Sequence, residues 1–184
     1  VPADVIKRAI DKAKGGTDEN YTEARYEGFG PGNSTVIVDC LTDNTNRSMT
    51  EVKTAFNKSK GAKMVNAGGV SYNYESVGLF VFNYADEDAM LEALLEAEVD
   101  VTDLTIEDGV MTVKTAFTDF GKAKDAIEKL LPNIEFETCE TTMLPNEYVT
   151  LTDPEEIEAF HKLMDMLNEA DDVNKVYHNA IINE

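Results

Sequence analysis

Apolar residues recur along this chain at two periods, and the switches between them mark out its elements. Ile6, Ala9, Ile10 and Ala13 follow Pro2 at helical spacing and Gly15-Gly16 ends the run, predicting a short first helix. Two strands, Tyr21–Glu27 and Thr35–Leu41, then flank the turn Gly28-Phe29-Gly30-Pro31-Gly32-Asn33. Thr42-Asp43-Asn44 offers capping side chains to a helix over Thr45–Ser59. Its buried stripe is read as Met49, Val52 and Phe56, with Arg47, Glu51, Thr54 and Lys58 on another face. A glycine-bearing segment from Gly61 to Gly69 leads into a strand at Val70–Tyr74.

The stretch from Leu79 to Thr142 reads as a unit of its own. Leu79–Phe82 alternates as a strand, and Asp86 caps a helix carrying Met90, Leu91, Leu94 and Leu95. Val101–Ile106 and Val110–Thr115 are strands joined through Glu107-Asp108-Gly109, where Asp-Gly is a strong hairpin signal. Thr118 or Asp119 caps a helix with Ala123, Ile127, Leu130 and Leu131, and Ile134–Cys139 is the last strand. The order β-α-β-β-α-β is that of a ferredoxin-like split βαβ. After Pro145 come a short strand near Tyr148–Leu151, a periodic helix opened by Asp153-Pro154, and a strand at Val173–Tyr177. This tail is too small for a core of its own, so it completes the sheet begun before residue 78. The fold class expected is α+β, with a ferredoxin-like domain (79–143) inserted in a discontinuous α+β domain (19–78 and 144–184), preceded by a helix remnant (1–18).

Composition narrows the class. Apolar residues make up 42% and charged residues 28% of 184, the balance of a folded domain, and no apolar run approaches a membrane span. Cys40 and Cys139 are the only cysteines, too few for a disulfide framework, which points to a reducing cytoplasm. The formal charge is −20, but it is unevenly spread. Residues 1–63 hold ten basic against nine acidic side chains, a net of +1, whereas residues 64–184 carry −21. The acidic part either keeps the chain soluble or faces a basic partner.

Candidate chemistry is sparse. The Gly28–Asn33 loop is followed by a strand rather than by a helix N-terminus, and Pro31 removes a donor, so it reads as a turn and not a phosphate site. His161 and His178 have no Cys, Asp or Glu companions at ligand spacing, so no metal, cofactor or small-molecule substrate is expected. No nucleophile–base grouping can be nominated, so the chain is read as non-enzymatic. One set stands out. Arg47, Lys53, Lys58, Lys60 and Lys63 fall on the second helix and the loop leaving it. Arg47 and Lys58, eleven apart, share a face, as do Lys53 and Lys60. With Lys7, Arg8, Lys12 and Lys14 of the first helix they could track a phosphate backbone; scattered lysines that only keep a surface soluble are the alternative.

Tyr26-Glu27-Gly28-Phe29-Gly30-Pro31-Gly32 and Leu41-Thr42-Asp43-Asn44-Thr45-Asn46-Arg47 resemble the signature stretch of the YebC/PmpR family. Gly69-Val70-Ser71-Tyr72, Gly78-Leu79-Phe80-Val81-Phe82, Leu94-Leu95-Glu96-Ala97 and Asp171-Asp172-Val173-Asn174-Lys175-Val176-Tyr177-His178-Asn179 fit in the same order. Gly61-Ala62 and Val65 depart from the family's glycines, as in its YebC-like paralogues. The resemblance implies a YebC-like fold of two α+β domains, one inserted in the other. It also implies that a basic N-terminal helical domain, the main contact to nucleic acid, is absent here apart from its final helix. The family's usual role is DNA-binding transcription regulation, while other relatives act with the ribosome. Three functions are therefore carried forward. The first is a DNA-binding transcriptional regulator, and the second is a translation factor binding ribosomal RNA and ribosomal proteins. The third is a protein-interaction scaffold.

Overall fold

The computed structural model describes residues 20–183. The first helix expected from the sequence, with Lys7, Arg8, Lys12 and Lys14, lies outside the described residues. In chain order the strands are β1 (Thr22–Phe29), β2 (Thr35–Thr42), β3 (Lys63–Val65), β4 (Tyr74–Asn83), β5 (Val101–Glu107), β6 (Val110–Ala116), β7 (Phe136–Pro145), β8 (Val149–Leu151), β9 (Val173–His178) and β10 (Ala180–Ile182). The α-helices are α1 (Thr45–Lys58), α2 (Glu87–Glu96), α3 (Phe120–Leu130) and α4 (Pro154–Glu169). The chain forms two compact units, one running up to Tyr74 and resuming at Pro145, the other Glu75–Leu144.

The first unit is built on a four-stranded sheet in the order β3-β1-β2-β9, antiparallel at each pairing. Alternate residues of β2 divide between its faces. Val36, Val38 and Cys40 pack with Val52, Ala55 and Phe56 of α1, Leu163 and Leu167 of α4, and Val173. Ile37 points to the opposite face and is fully buried as well. A parallel pair, β8 and β10, stands apart as a small sheet over Leu151, Ile157 and Phe160. Gly28 is set by close packing: a Cβ there would fall 2.5 Å from the Phe56 ring and 2.7 Å from the Lys63 carbonyl oxygen.

Three local expectations are corrected in this unit. The stripe of α1 is Ser48, Val52, Ala55 and Phe56, while Met49 is 51% exposed. The phase is set one residue earlier because the Ser48 hydroxyl meets the Tyr26 phenol at 2.9 Å. The region Val70–Tyr74 is not a strand but a single 3-10 turn at Ser71–Asn73 leading into β4, because its N–H groups are bound to a side chain rather than to a neighbouring strand. Strands β3 and β10 are short additions that no alternation announced.

The second unit has the sheet order β5-β6-β4-β7, the arrangement of a ferredoxin-like split βαβ. The β5–β6 hairpin turns at Asp108 and Gly109, both at positive φ (50° and 78°), as a two-residue primed turn requires. Helices α2 and α3 cover a core of Phe80, Phe82, Met90, Leu94, Met111, Val113, Ala123 and Ile127. Phe80 stacks on Phe120 at 5.1 Å between ring centroids, and Phe82 meets Phe136 edge-on at 5.6 Å. Asp86 caps α2 by accepting from the Ala89 N–H. Asp119 does not cap α3 with its side chain; its carboxylate accepts from the Asp100 N–H at 2.9 Å and lies 3.3 Å from the Lys122 ammonium.

Candidate nucleic-acid interface

The basic residues singled out from the sequence lie along α1 and the loop after it, and the structure gives them different surroundings. At the start of α1, Asn44 caps by accepting from the Arg47 N–H at 3.0 Å. The Arg47 guanidinium forks onto Asp172, with Nε 3.0 Å from Oδ2 and Nη2 2.9 Å from Oδ1, and Nη2 also donates to Asp43 at 2.6 Å. The Asp172 side chain is fully buried and accepts a third bond from the Thr42 hydroxyl. Hydrogen bonding to Asp172 and Asp43 raises the guanidinium pKa further above its usual range. Two carboxylates therefore more than offset the Arg47 charge. It ties the α1 N-terminus to the segment entering β9.

The four lysines are exposed. Lys53 and Lys58 lie on α1, and Lys60 lies beyond its end, so the helical face expected for Lys53 and Lys60 does not extend that far. The Ser59 hydroxyl donates to the Ala159 carbonyl at 2.7 Å, fastening the end of α1 to α4 across a hundred residues of sequence. That contact brings Lys162 beside Lys58 and Lys60, which together with Glu155, Glu158 and Ala159 line a shallow groove of about 330 Å³. Lys60 lies 3.7 Å from Glu155, but both are strongly exposed, at 88% and 79%, and such a pair is worth little. Among the described residues Lys53, Lys58 and Lys63 make no ion pair. Lys162 could not be found from the sequence, since nothing in α4 announces which of its faces meets α1.

Lys63 sits on β3 directly opposite Phe29 of β1. The loop before it touches the β1–β2 turn, where a Cβ on Gly61 would lie 3.7 Å from the Pro31 Cα. That turn is a hairpin connection, with Pro31–Asn33 in a 3-10 turn, Gly32 and Asn33 at positive φ, and the Gly30 N–H bonded to the Ser34 carbonyl at 2.7 Å.

Glu27, also missed by sequence reasoning, holds the rest of this surface in place. Its carboxylate is 4% exposed and accepts from the backbone N–H groups of Gly68 (2.8 Å), Val70 (3.1 Å) and Ser71 (2.8 Å). Burial pushes its pKa up, but the three backbone donors outweigh burial and hold it below the ordinary glutamate value. Nothing in the local sequence around Glu27 announces this contact, because its partners lie about forty residues further along the chain.

Other reactive groups are occupied or shielded. Burial pushes the Cys40 thiol up to about 12, so it carries no thiolate at neutral pH. His178 Nδ1 accepts from the Ala180 N–H at 3.1 Å, its ring meets Phe160 edge-on at 4.9 Å, and burial lowers its pKa. Among the described residues no group of His, Cys, Asp and Glu could hold a metal ion, and no helix is long and apolar enough to cross a membrane.

Residues 21–180 match the family model described as the TACO1/YebC second and third domain. The chain is 51% identical to a "Probable transcriptional regulatory protein" of Marinobacter nauticus over 98% of its own length and 74% of that protein. It is 49% identical to one of the same name from Shewanella oneidensis, over 100% of its length and 76% of the relative's. Among solved structures it resembles the conserved hypothetical protein Aq1575 from Aquifex aeolicus, with a TM-score of 0.70 at 31% identity. That match covers 90% of this chain and 67% of the other.

Proposed function

The chain belongs to the TACO1/YebC family, and from that premise we propose that it is a non-enzymatic, DNA-binding regulator of transcription. Its relatives carry the name of transcriptional regulators. The observation that supports contact with nucleic acid is the exposure of lysines 53, 58, 60 and 63, with Lys162 beside Lys58 and Lys60. Lysine ammoniums that are not bound into the fold can exchange counterions for phosphates at little structural cost. Arg47 is given the different role of fixing α1, and Lys7, Arg8, Lys12 and Lys14 would add basic charge to the chain's contact with phosphates. The double variant Lys58→Glu/Lys60→Glu tests this by fluorescence anisotropy on promoter duplexes over a salt series. Binding should weaken and the slope of log K against log salt should fall by about 2. Unchanged affinity at low salt would remove these lysines from the interface.

A second reading, a ribosome-associated translation factor, is favoured by the charge separation, since a −21 segment following a +1 segment suits ribosomal RNA on one side and basic ribosomal proteins on the other. Sedimentation of the protein with ribosomal particles, lost on RNase treatment, would move this reading ahead of the first.

A further inference from the structure

Four aromatic rings are strongly exposed among the described residues, and three of them gather in the first unit: Phe29 (40%), Tyr72 (79%) and Tyr148 (58%). Isolated exposed rings need no explanation, but a group presented by three separate segments does. Each is presented by backbone that is tied down. Phe29 stands in the β-ladder, opposite Lys63 on one side and Thr35 on the other. Tyr72 rides on the turn whose N–H groups Glu27 clamps, and Glu27 lies two residues before Phe29, on the same face of β1. The Tyr148 segment is held by the Asn179 amide donating to the Glu147 carbonyl and by the Asn146 N–H donating to the Asn73 carbonyl at 2.8 Å.

Tyr74 links the three. Its phenol bonds to the Thr35 hydroxyl at 2.8 Å, next to Phe29, and it lies two residues after Tyr72. Burial raises its pKa, and the neighbouring Tyr148 phenol adds to the rise. The rings therefore share one region, bordered by Lys63 directly opposite Phe29.

We propose that this surface is a stacking platform for an unpaired stretch of nucleic acid, its bases against Phe29, Tyr72 and Tyr148 and a phosphate on Lys63. The proposal rests on the nucleic-acid reading above and adds the form of the ligand. Rings standing at a surface can stack only on bases that are not already stacked in a duplex, and every base offers the same π-face, so such a platform selects strandedness before sequence. A ring held by fixed backbone loses little freedom on binding, which suits the observed anchoring.

The test is anisotropy titration of the full chain with a short unstructured RNA, the same sequence as single-stranded DNA, and the corresponding DNA duplex. Tyr72→Ala and Tyr148→Ala are compared with Tyr72→Phe and with Phe117→Ala, the exposed ring of the other unit. Single strands should bind more tightly than duplex. Each Tyr→Ala change should weaken that binding about 5- to 100-fold without changing the salt slope, while Tyr72→Phe and Phe117→Ala leave it intact. Lys63→Glu should instead lower the slope by about 1. If the tyrosine variants bind like wild type while lysine reversal weakens binding, or if duplex binds as tightly as single strands, the platform is overturned and the nucleic-acid reading stands. If no probe binds, both fall.

Discussion

Replacing Glu27 by glutamine should loosen the segment Gly68–Ser71 and lower the stability of the first unit by about 2–3 kcal/mol at neutral pH. The carboxylate accepts three backbone N–H bonds, at 2.8, 3.1 and 2.8 Å, in a site only 4% exposed. Hydrogen bonds to a charged acceptor contribute about 1.5–3 kcal/mol each. Glutamine can keep Val70 and Ser71 on its oxygen, more weakly, but then turns its own NH2 group toward the Gly68 N–H. The Gly68 N–H and the glutamine NH2 then face each other as two donors at a part-buried contact. For a chain of this size that corresponds to a thermal midpoint roughly 5–10 °C lower. The protein has no tryptophan, so far-UV circular dichroism is the suitable probe.

The sign with pH follows from the lowered Glu27 pKa. The folded state prefers the ionised form, so its contribution is complete above the ordinary value near 4.5 and disappears as the pH falls through the lower folded-state value. The difference between wild type and Glu27→Gln should thus be full at pH 7 and shrink in acid. A variant melting within about 1 °C of wild type at pH 7 would refute the clamp. So would a difference that stays constant down to pH 3.

Two further outcomes follow from the packing. Asp172→Ala should cost about 3–5 kcal/mol in urea denaturation because it leaves Arg47 and Thr42 without their buried partner, whereas Asp43→Ala, at an exposed carboxylate, should cost about 1 kcal/mol or less. Equal effects would mean that the Arg47 tie is not anchored on Asp172. Gly28→Ala should destabilise by at least 1–3 kcal/mol, since its methyl would overlap the Phe56 ring and the Lys63 carbonyl; a neutral result in the same assay would show that β3 can move away at little cost.

The architecture was legible where long periodic segments met specific turn chemistry. Asp108-Gly109 placed the β5–β6 hairpin, Asp153-Pro154 opened α4, and the alternation in Val36, Val38 and Cys40 marked a buried strand. The errors arose where a tertiary partner overrode local pattern. Met49 is as apolar as a core position asks, yet the Ser48–Tyr26 contact sets the phase of α1 and leaves it outside. Val70–Tyr74 has the composition of a strand, but its donors are taken by Glu27 from 43 residues away. At the candidate site the lysines of α1 were visible as a run of charge, whereas Lys162 and Asp172, the buried carboxylate that holds Arg47, reach it only through folding. The two motifs carrying the family resemblance contain Glu27, Gly28, Thr42 and Arg47, each of which holds backbone or helix in place. Those motifs therefore record mainly how the frame is built, and of the residues proposed for the nucleic-acid surface they contain only Phe29.

The hydrogen bond from the Asn146 N–H to the Asn73 carbonyl also bears on how the chain is assembled. The strand leaving the first unit and the strand returning to it pass within one hydrogen bond of each other, although roughly seventy residues separate them. A synthesising ribosome therefore releases the whole intervening unit before α4 and β9 exist to complete the first one, so until then the apolar side of β2 is covered by α1 alone. Because the two crossings are adjacent, a linker of a few residues could replace the intervening unit without stretching either flank. The same doorway lets one unit be exchanged or lost over evolutionary time while the other keeps its shape.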